Sequence, residues 1–252
     1  MNLIKNESNP DLIQKTKVVK GIHFSQINDE FLSFNNLSYY KNWVLTQGQC
    51  DDIAKEFPDE DDEVKDGPCQ RFYKEKLKRG QIGCLLGHIE CWKQIILNND
   101  DYAIVLEDDA WWPDSHCLSS ELKSFFSICP DFDIFFLGRK PLFPKKEVES
   151  NLGPKYVIPK YSYNSQSYVL SRRGCLKLLS QNPHKNLMST DEFLSACYSD
   201  HPRKDISKTF DNCLNAIALK NELIWQMNTL EMAKETGITW TNIEHSGDVE
   251  QT

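Results

Sequence analysis

The feature that most constrains the fold is a short apolar segment that ends in three consecutive acidic residues. Residues 102–106 form an apolar run whose length is that of a buried β-strand and too short for a helix. Glu107, Asp108 and Asp109 follow directly. Adjacent carboxylates repel one another, so placing them beside a buried strand is costly unless a cation compensates their charge. The segment predicts either a metal-binding corner or an exposed acidic turn, and by itself it does not choose between them.

A divalent cation at this corner would suit chemistry on a diphosphate. Mg²⁺ and Mn²⁺ prefer oxygen ligands and leave positions for phosphate oxygens, and open α/β sheets bind ligands where their strands end. If the strand continued through the acidic residues, alternation would place Glu107 and Asp109 on one side and Asp108 on the other. We therefore expect Glu107 and Asp109 to bind the metal, with Asp109 the stronger ligand, and Asp108 to point away from it.

Helical and extended segments alternate around the acidic corner. Apolar residues at helical spacing predict a helix over residues 81–97, immediately before the strand. Further helices are predicted over 118–128, 174–181 and 190–199, the last with Thr190 as a plausible cap, and further strands over 132–137 and 161–170. This alternation predicts an α/β sandwich. The length of 252 residues suits one large domain or two small ones.

Composition and charge exclude some classes of partner. The formal net charge is −8, which disfavours nucleic acid because an acidic chain repels phosphate backbones.

No segment has the apolar length of a signal peptide or a membrane span. The nine cysteines include no Cys-x-x-Cys pair, so a structural zinc site is not expected. These features predict a cytoplasmic protein with mostly free thiols; a secretory enzyme with a few disulfides is the alternative.

Four further groups of residues accompany the acidic corner in a specific order. They are Gly80-Gln-Ile-Gly-Cys-Leu-Leu-Gly-His88 with Trp92, Phe132-Asp-Ile-Phe-Phe-Leu-Gly-Arg-Lys140, Tyr161-Ser-Tyr163 with Tyr168, and Asp191-Glu-Phe-Leu194 with His201-Pro202. Together they cover roughly residues 80–225. This series resembles glycosyltransferase family 25, which includes bacterial lipopolysaccharide glycosyltransferases and the procollagen galactosyltransferases. The Gly-Arg-Lys ending is most similar to the collagen-modifying group.

The resemblance implies a GT-A fold, which is a Rossmann-like α/β/α sandwich with a mixed, mostly parallel sheet. It implies one glycosyltransferase domain over residues 1–252, with a divergent part at 1–79, the family-like catalytic core at 80–225 and a tail at 226–252. It also implies Mn²⁺ as the cofactor, a UDP-sugar as the donor, and inverting transfer of a hexose, with galactose favoured, to hydroxylysine of a collagen-like protein. The alternatives are a glycan or lipopolysaccharide acceptor, a non-catalytic binding module and a metal-dependent phosphohydrolase.

The resemblance also indicates a catalytic base and a further metal ligand. Inverting transfer needs a base that takes the proton of the acceptor hydroxyl. Asp191 and Glu192, at the start of a predicted helix, are the candidates, although Asp191 fits a helix cap equally well. His245 is expected to complete the metal shell; a solvated histidine in a polar tail is the alternative.

The expected sugar-nucleotide contacts are Gly80, His88, Glu107, Asp108 and Arg139. His88 lies on the apolar face of its predicted helix, so its position alone indicates a hydrogen-bonded core histidine. Arg139 follows a predicted strand, where it would meet a phosphate or pair with an acidic neighbour. The resemblance favours a substrate-side position for both side chains.

Overall fold

A computed structural model describes residues 16–56, 73–112, 115–128 and 131–226. The helices are α1 (Asp29–Phe34), α2 (Gln47–Glu56), α3 (Arg79–Leu97), α4 (Ser115–Ile128), α5 (Arg172–Ser180), α6 (Thr190–Tyr198) and α7 (Lys204–Thr209). The strands are β1 (Tyr102–Leu106), β2 (Ala110–Trp111), β3 (Ile134–Pro141), β4 (Val148–Glu149), β5 (Tyr156–Ile158), β6 (Ser162–Ser171), β7 (Ala216–Leu219) and β8 (Trp225–Gln226). Within these ranges, no helix is both long enough and apolar enough to cross a membrane.

Six strands form one mixed sheet in the order β1–β6–β3–β7–β5–β4. β1 and β3 run in the same direction, as expected of strands joined through a helix, but β6 lies between them and is antiparallel to both. Among the described strands, β3 and β7 form the one parallel pair. The mixed α/β sheet is confirmed. The expectation of mostly parallel pairing is wrong, because β6 is inserted between the two strands that the helical connection makes parallel.

Alternate residues of β3 point into two apolar layers. Ile134 and Phe136 belong to the layer that contains residues of α3, α5 and α6. Phe135 and Leu137 belong to the layer of α4, where the Phe125 and Phe135 rings stack with centroids 3.7 Å apart. A strand segment that is buried on both faces consists of consecutive apolar residues, as residues 134–137 of β3 do. Helices therefore cover both faces of the sheet, and the predicted α/β/α sandwich is confirmed.

Several elements meet at one edge of the sheet. The carboxyl ends of β1, β3 and β7 point to this edge, and β6 begins there. Since α3 precedes β1 and returns to it through a short connection, its first turn lies beyond the same edge, and His88 of α3 reaches Glu107 after β1. Open sheets place ligands at the carboxyl ends of their strands. The fold thus positions the acidic corner where a ligand site is expected.

The chain crosses this edge again at Gly138. The amides of Leu223 and Ile224 both donate to the Leu137 carbonyl oxygen, at 2.8 and 3.2 Å. A Cβ on residue 138 would lie 1.8 Å from the Ile224 carbonyl oxygen, so the crossing requires glycine. The crossing leads into β8, which pairs with β2 immediately after the acidic corner. Gly138 therefore allows a distant segment to reach the carboxylates.

Candidate active site

The acidic corner is a turn rather than the end of a strand. β1 ends at Leu106, and the amide of Ala110 donates to the Glu107 carbonyl oxygen at 3.2 Å. The alternation expected from a continued strand is therefore wrong. The turn nevertheless separates the residues in the expected way, because Asp108 is exposed while Glu107 and Asp109 are partly buried.

Three side chains donate hydrogen bonds to Glu107 Oε1. They are the imidazole of His88 at 2.9 Å, the hydroxyl of Ser165 at 3.0 Å and the thiol of Cys84 at 3.7 Å. Burial raises the pKa of Glu107, but the hydrogen bond and charge of His88, with the bonds from Ser165 and Cys84, outweigh it, and the pKa lies below its usual value. Glu107 is therefore a carboxylate at neutral pH, as a metal ligand must be.

A chain of hydrogen bonds behind Glu107 holds His88 as a donor to it. The indole N–H of Trp92 donates to the Tyr168 hydroxyl oxygen at 2.9 Å, and that oxygen lies 2.7 Å from His88 Nδ1. Because a carboxylate only accepts, the Nε2 proton of His88 lies in the bond to Glu107, while Tyr168 holds the ring from its Nδ1 side. We call Trp92, Tyr168 and His88 the relay. His88 is 4% exposed, so it is a core histidine that contacts the site through Glu107.

Asp109 carries an unsatisfied buried oxygen. Its Oδ2 accepts a hydrogen bond from the Gln226 amide at 2.9 Å, whereas Oδ1 is buried and has no hydrogen-bond partner among the described residues. Burial, and secondly the charge of Glu107, raises the pKa of Asp109 to about 7. A bare carboxylate oxygen beside a second carboxylate is an arrangement that a hard divalent cation stabilises. Glu107 and Asp109 therefore fit the donor set expected for Mn²⁺.

The thiol of Cys84 forms a second possible metal group with His88 and Glu107. One ligand atom from each of these three residues lies within 4.8 Å of the others. Both ring nitrogens of His88 are already engaged, one by Tyr168 and the other by Glu107. The hydrogen bonds account for this group, so the oxygen donors match a metal better than the sulfur does.

Asp191 lies in the first turn of α6 and faces the same serine as Glu107. Its carboxyl group lies against the Ser165 hydroxyl, whose proton is donated to Glu107, and accepts a hydrogen bond from the backbone of Asn164; burial, then the charge of Glu107, raises its pKa to about 6. It is partly buried. The expected cap Thr190 is wrong by one residue, because Ser189 occupies the cap and the Thr190 hydroxyl donates to Cys84 Sγ at 3.4 Å instead. Ser165 thus links Asp191 to the acidic corner.

Glu192 points away from the acidic corner into a buried polar cluster. Its side chain has no exposed surface, and it accepts hydrogen bonds from the hydroxyls of Tyr73 and Tyr161 and from His201 Nε2, the last two at 2.7 and 2.8 Å. Burial raises its pKa, but the hydrogen bond and charge of His201 outweigh this and lower it. A carboxylate enclosed in this way holds Tyr73 and the following helix against the core, and it has no exposed side for an acceptor.

Three further residues were predicted to bind the sugar nucleotide or the metal: Arg139, Gly80 and His245. Arg139 is buried, and its guanidinium forms a two-point ion pair with Glu147 at 2.6 and 2.8 Å. It also lines a small cavity together with Asp191. Gly80 lies in the first turn of α3, beyond the same edge of the sheet. His245 falls outside the described residues, as does most of the predicted tail at 226–252.

Ser165, Cys84 and Gln226 contribute to the site, although they were not predicted as site residues from the sequence. The run of polar residues at 164–167, between the aromatic residues Tyr163 and Tyr168, is the signal that points to Ser165. Gln226 is 117 positions from Asp109, so only the tertiary fold reveals their contact.

Comparisons with known proteins identify one family. The model of the family described as "Glycosyltransferase family 25 (LPS biosynthesis protein)" matches residues 14–194. Procollagen galactosyltransferase 1-B of Xenopus laevis is 30% identical over 186 residues, which cover 70% of this chain and 30% of that protein. Procollagen galactosyltransferase 2 of Homo sapiens is 28% identical over 148 residues, covering 54% of this chain and 22% of that protein.

Some relatives are named as inactive. Inactive glycosyltransferase 25 family member 3 of Mus musculus is 30% identical over 136 residues, covering 53% of this chain and 23% of that protein. The chain spans less than a third of the length of these curated relatives.

Proposed function

The chain belongs to glycosyltransferase family 25, and on that basis we propose that it transfers a hexose from a UDP-sugar to an acceptor hydroxyl with inversion, using Mn²⁺. Galactose is the favoured sugar and hydroxylysine of a collagen-like protein the favoured acceptor. The observation that carries the proposal is the unpartnered buried oxygen of Asp109 beside Glu107. The names of the procollagen galactosyltransferase relatives support the choice of sugar and acceptor.

Glu107 and Asp109 are the proposed metal ligands in the described part of the chain, and His245 is the proposed third. When bound, Mn²⁺ would neutralise the charge that the UDP leaving group gains in the transition state. The relay holds Glu107 in one orientation and in its ionised form. Gln226 holds Asp109 through Oδ2, so Oδ1, which has no hydrogen-bond partner among the described residues, would bind the ion.

Asp191 is the proposed base. It is partly exposed at the edge of the sheet, and the Ser165 hydroxyl group fixes its carboxyl group in relation to Glu107. The acceptor hydroxyl would pass its proton to an Asp191 oxygen as it attacks the sugar. The side chain of Glu192 is fully enclosed and supports the fold, so Asp191 alone is the proposed base.

The proposed contacts to the donor follow from position. Asp108, which is exposed at the turn, is a proposed contact of the sugar nucleotide, and so is Gly80 at the amino end of α3 beyond the same edge. The Arg139 guanidinium is paired with Glu147, so the proposed role of Arg139 is to shape the cavity that Asp191 also lines. His88 acts through Glu107.

Two other functions have a specific observation behind them. The family description names lipopolysaccharide biosynthesis, which favours a glycan acceptor. Relatives that are named inactive favour a binding module without turnover. The intact carboxylates and the bare oxygen of Asp109 favour catalysis over the binding module.

The test is a donor and acceptor panel on the full chain. UDP-galactose, UDP-glucose and UDP-N-acetylglucosamine are each supplied with Mn²⁺ or with a chelator, and with or without a hydroxylysine peptide, and UDP release and peptide mass are measured. We expect Mn²⁺-dependent hexose addition, largest with UDP-galactose. A folded chain that binds the peptide but releases no UDP from any donor would refute the enzyme and favour the binding module.

A further inference from the structure

Two cysteines lie side by side at the edge of the sheet opposite the acidic corner. Cys197 is near the carboxyl end of α6, and Cys213 is in the segment that leads into β7. The amides of Cys213 and Leu214 both donate to the Cys197 carbonyl oxygen at 2.9 Å, so the two residues lie directly side by side. Backbones held together by such bonds lie within the range of about 4.4–6.8 Å between Cα atoms that a disulfide spans.

The two thiols have different surroundings. Cys197 has no exposed surface, whereas Cys213 is partly exposed. The Cys213 sulfur accepts a hydrogen bond from the Gln181 amide at 3.8 Å, and the Lys177 ammonium group, which donates to the Cys213 carbonyl oxygen at 2.9 Å, lies beside it. Accessibility, two N–H or S–H donors and a nearby cation are features of a reactive thiol.

The surroundings of Cys213 as a whole also favour its thiolate. The hydrogen bond from Cys197 is the main cause that lowers the pKa of Cys213 to about 7; burial opposes it and Lys177 assists it, while Asp211 and Asp133 raise it. Burial holds the pKa of Cys197 well above its usual value. An accessible thiolate next to a protonated, buried partner is the arrangement of an attacking and a resolving cysteine.

We propose that Cys213 and Cys197 form a redox-active dithiol, with Cys213 as the attacking and Cys197 as the resolving thiol. The Cys213 thiolate attacks one sulfur of a low-molecular-weight disulfide such as oxidised glutathione, and one glutathione thiolate leaves. Cys197 then gives up its proton and attacks the Cys213 sulfur of the mixed disulfide, and the second glutathione leaves. The protein loses two hydrogens, and the small disulfide is reduced to two thiols.

The disulfide would close a loop between α6 and the entry to β7. Asp191 begins the same helix, so the link would tie the carboxyl end of the helix that carries the proposed base to the sheet. Neither residue belongs to the acidic corner, and the proposal does not depend on glycosyl transfer. Closing a loop of this length is expected to raise Tm by about 5–10 °C.

The experiment treats the reduced, folded full chain with excess oxidised glutathione and maps its peptides by mass spectrometry without reduction. We expect a Cys197–Cys213 crosslink in the wild type and glutathione retained on Cys213 in Cys197→Ser. Cys175→Ser, which removes another fully buried thiol, is the matched control and should still form the crosslink. The Tm of the oxidised wild type should exceed that of the reduced form.

Alkylation kinetics provide a second measurement that does not depend on a variant folding. At pH 7, iodoacetamide should modify Cys213 faster than the exposed Cys117, and the rate at Cys213 should follow a titration near pH 7. A folded wild type that forms no crosslink, or that acquires glutathione first at Cys117, would overturn the proposal.

Discussion

Replacing Tyr168 with phenylalanine tests whether the relay holds Glu107 ionised. The substitution removes one oxygen atom that serves two buried neighbours, the indole N–H of Trp92 at 2.9 Å and His88 Nδ1 at 2.7 Å. Each buried polar group left without a partner costs about 1–3 kcal/mol. The free energy of unfolding should therefore fall by about 2–5 kcal/mol, a large share of the total for a typical domain.

The loss should depend on pH in a defined direction. The pKa of Glu107 lies below its usual value in the folded protein, so its ionisation stabilises the fold above the unfolded pKa of about 4.3. That contribution disappears as the pH falls through the folded pKa. Without Tyr168, His88 is no longer held as a donor to Glu107, and the folded pKa of Glu107 rises. The stability difference between wild type and variant should be largest at neutral pH and shrink under acid conditions.

Urea unfolding between pH 3 and 8 measures both effects, and Tyr156→Phe is the matched control. Tyr156 is another fully buried strand tyrosine, and its hydroxyl donates to Glu121 at 2.7 Å, far from the relay. Because Glu121 remains accessible to water, the control should cost only about 1 kcal/mol. Equal losses for the two variants, or a loss for Tyr168→Phe that does not change with pH, would show that the relay does not act on Glu107.

Two further substitutions test how the fold supports the site. Gly138→Ala would place a Cβ 1.8 Å from the Ile224 carbonyl oxygen. The free energy of unfolding should therefore fall by about 1–3 kcal/mol, and hydrogen exchange at the Ile224 amide should become faster. The control Gly87→Ala, which has open space around its Cβ, should stabilise the protein, whereas a Gly138→Ala variant as stable as the wild type would contradict the crossing. Asp133→Asn removes the buried carboxylate that binds the Lys177 ammonium group at 2.6 Å. Because the pKa of Asp133 is lowered in the folded protein, urea unfolding should show a loss of stability of about 2–4 kcal/mol at pH 7 that becomes smaller below about pH 4. A loss that does not change with pH would contradict the charge pairing.

The sequence predicts the local elements well and their arrangement less well. The helix over 81–97 was predictable because Leu85, Ile89 and Trp92 repeat at helical spacing, and all three are buried in the core. The insertion of β6 between β1 and β3 was not, because strand order depends on packing between segments far apart in the chain. The prediction of mostly parallel pairing failed for this reason.

For the site, too, the sequence predicts individual residues better than their contacts. Residues adjacent in sequence are separated by the fold, since Asp191 reaches Ser165 at the sheet edge while Glu192 is enclosed among Tyr161 and other donors. One helical step of about 100° is enough to turn neighbouring side chains to different surroundings. The contact between Gln226 and Asp109 joins residues 117 positions apart in the chain, and no local sequence pattern predicts it.

The central claim, that the acidic corner holds a cation for a UDP-sugar, is tested most directly by titration calorimetry of UDP-galactose into the full chain with and without Mn²⁺. The wild type should bind only with Mn²⁺, and Asp109→Asn should weaken binding on the order of 100-fold. Asp200→Asn, which removes the same charge from an exposed position, should leave the affinity unchanged. Equal, Mn²⁺-dependent affinity in the wild type and in a folded Asp109→Asn protein would contradict the account.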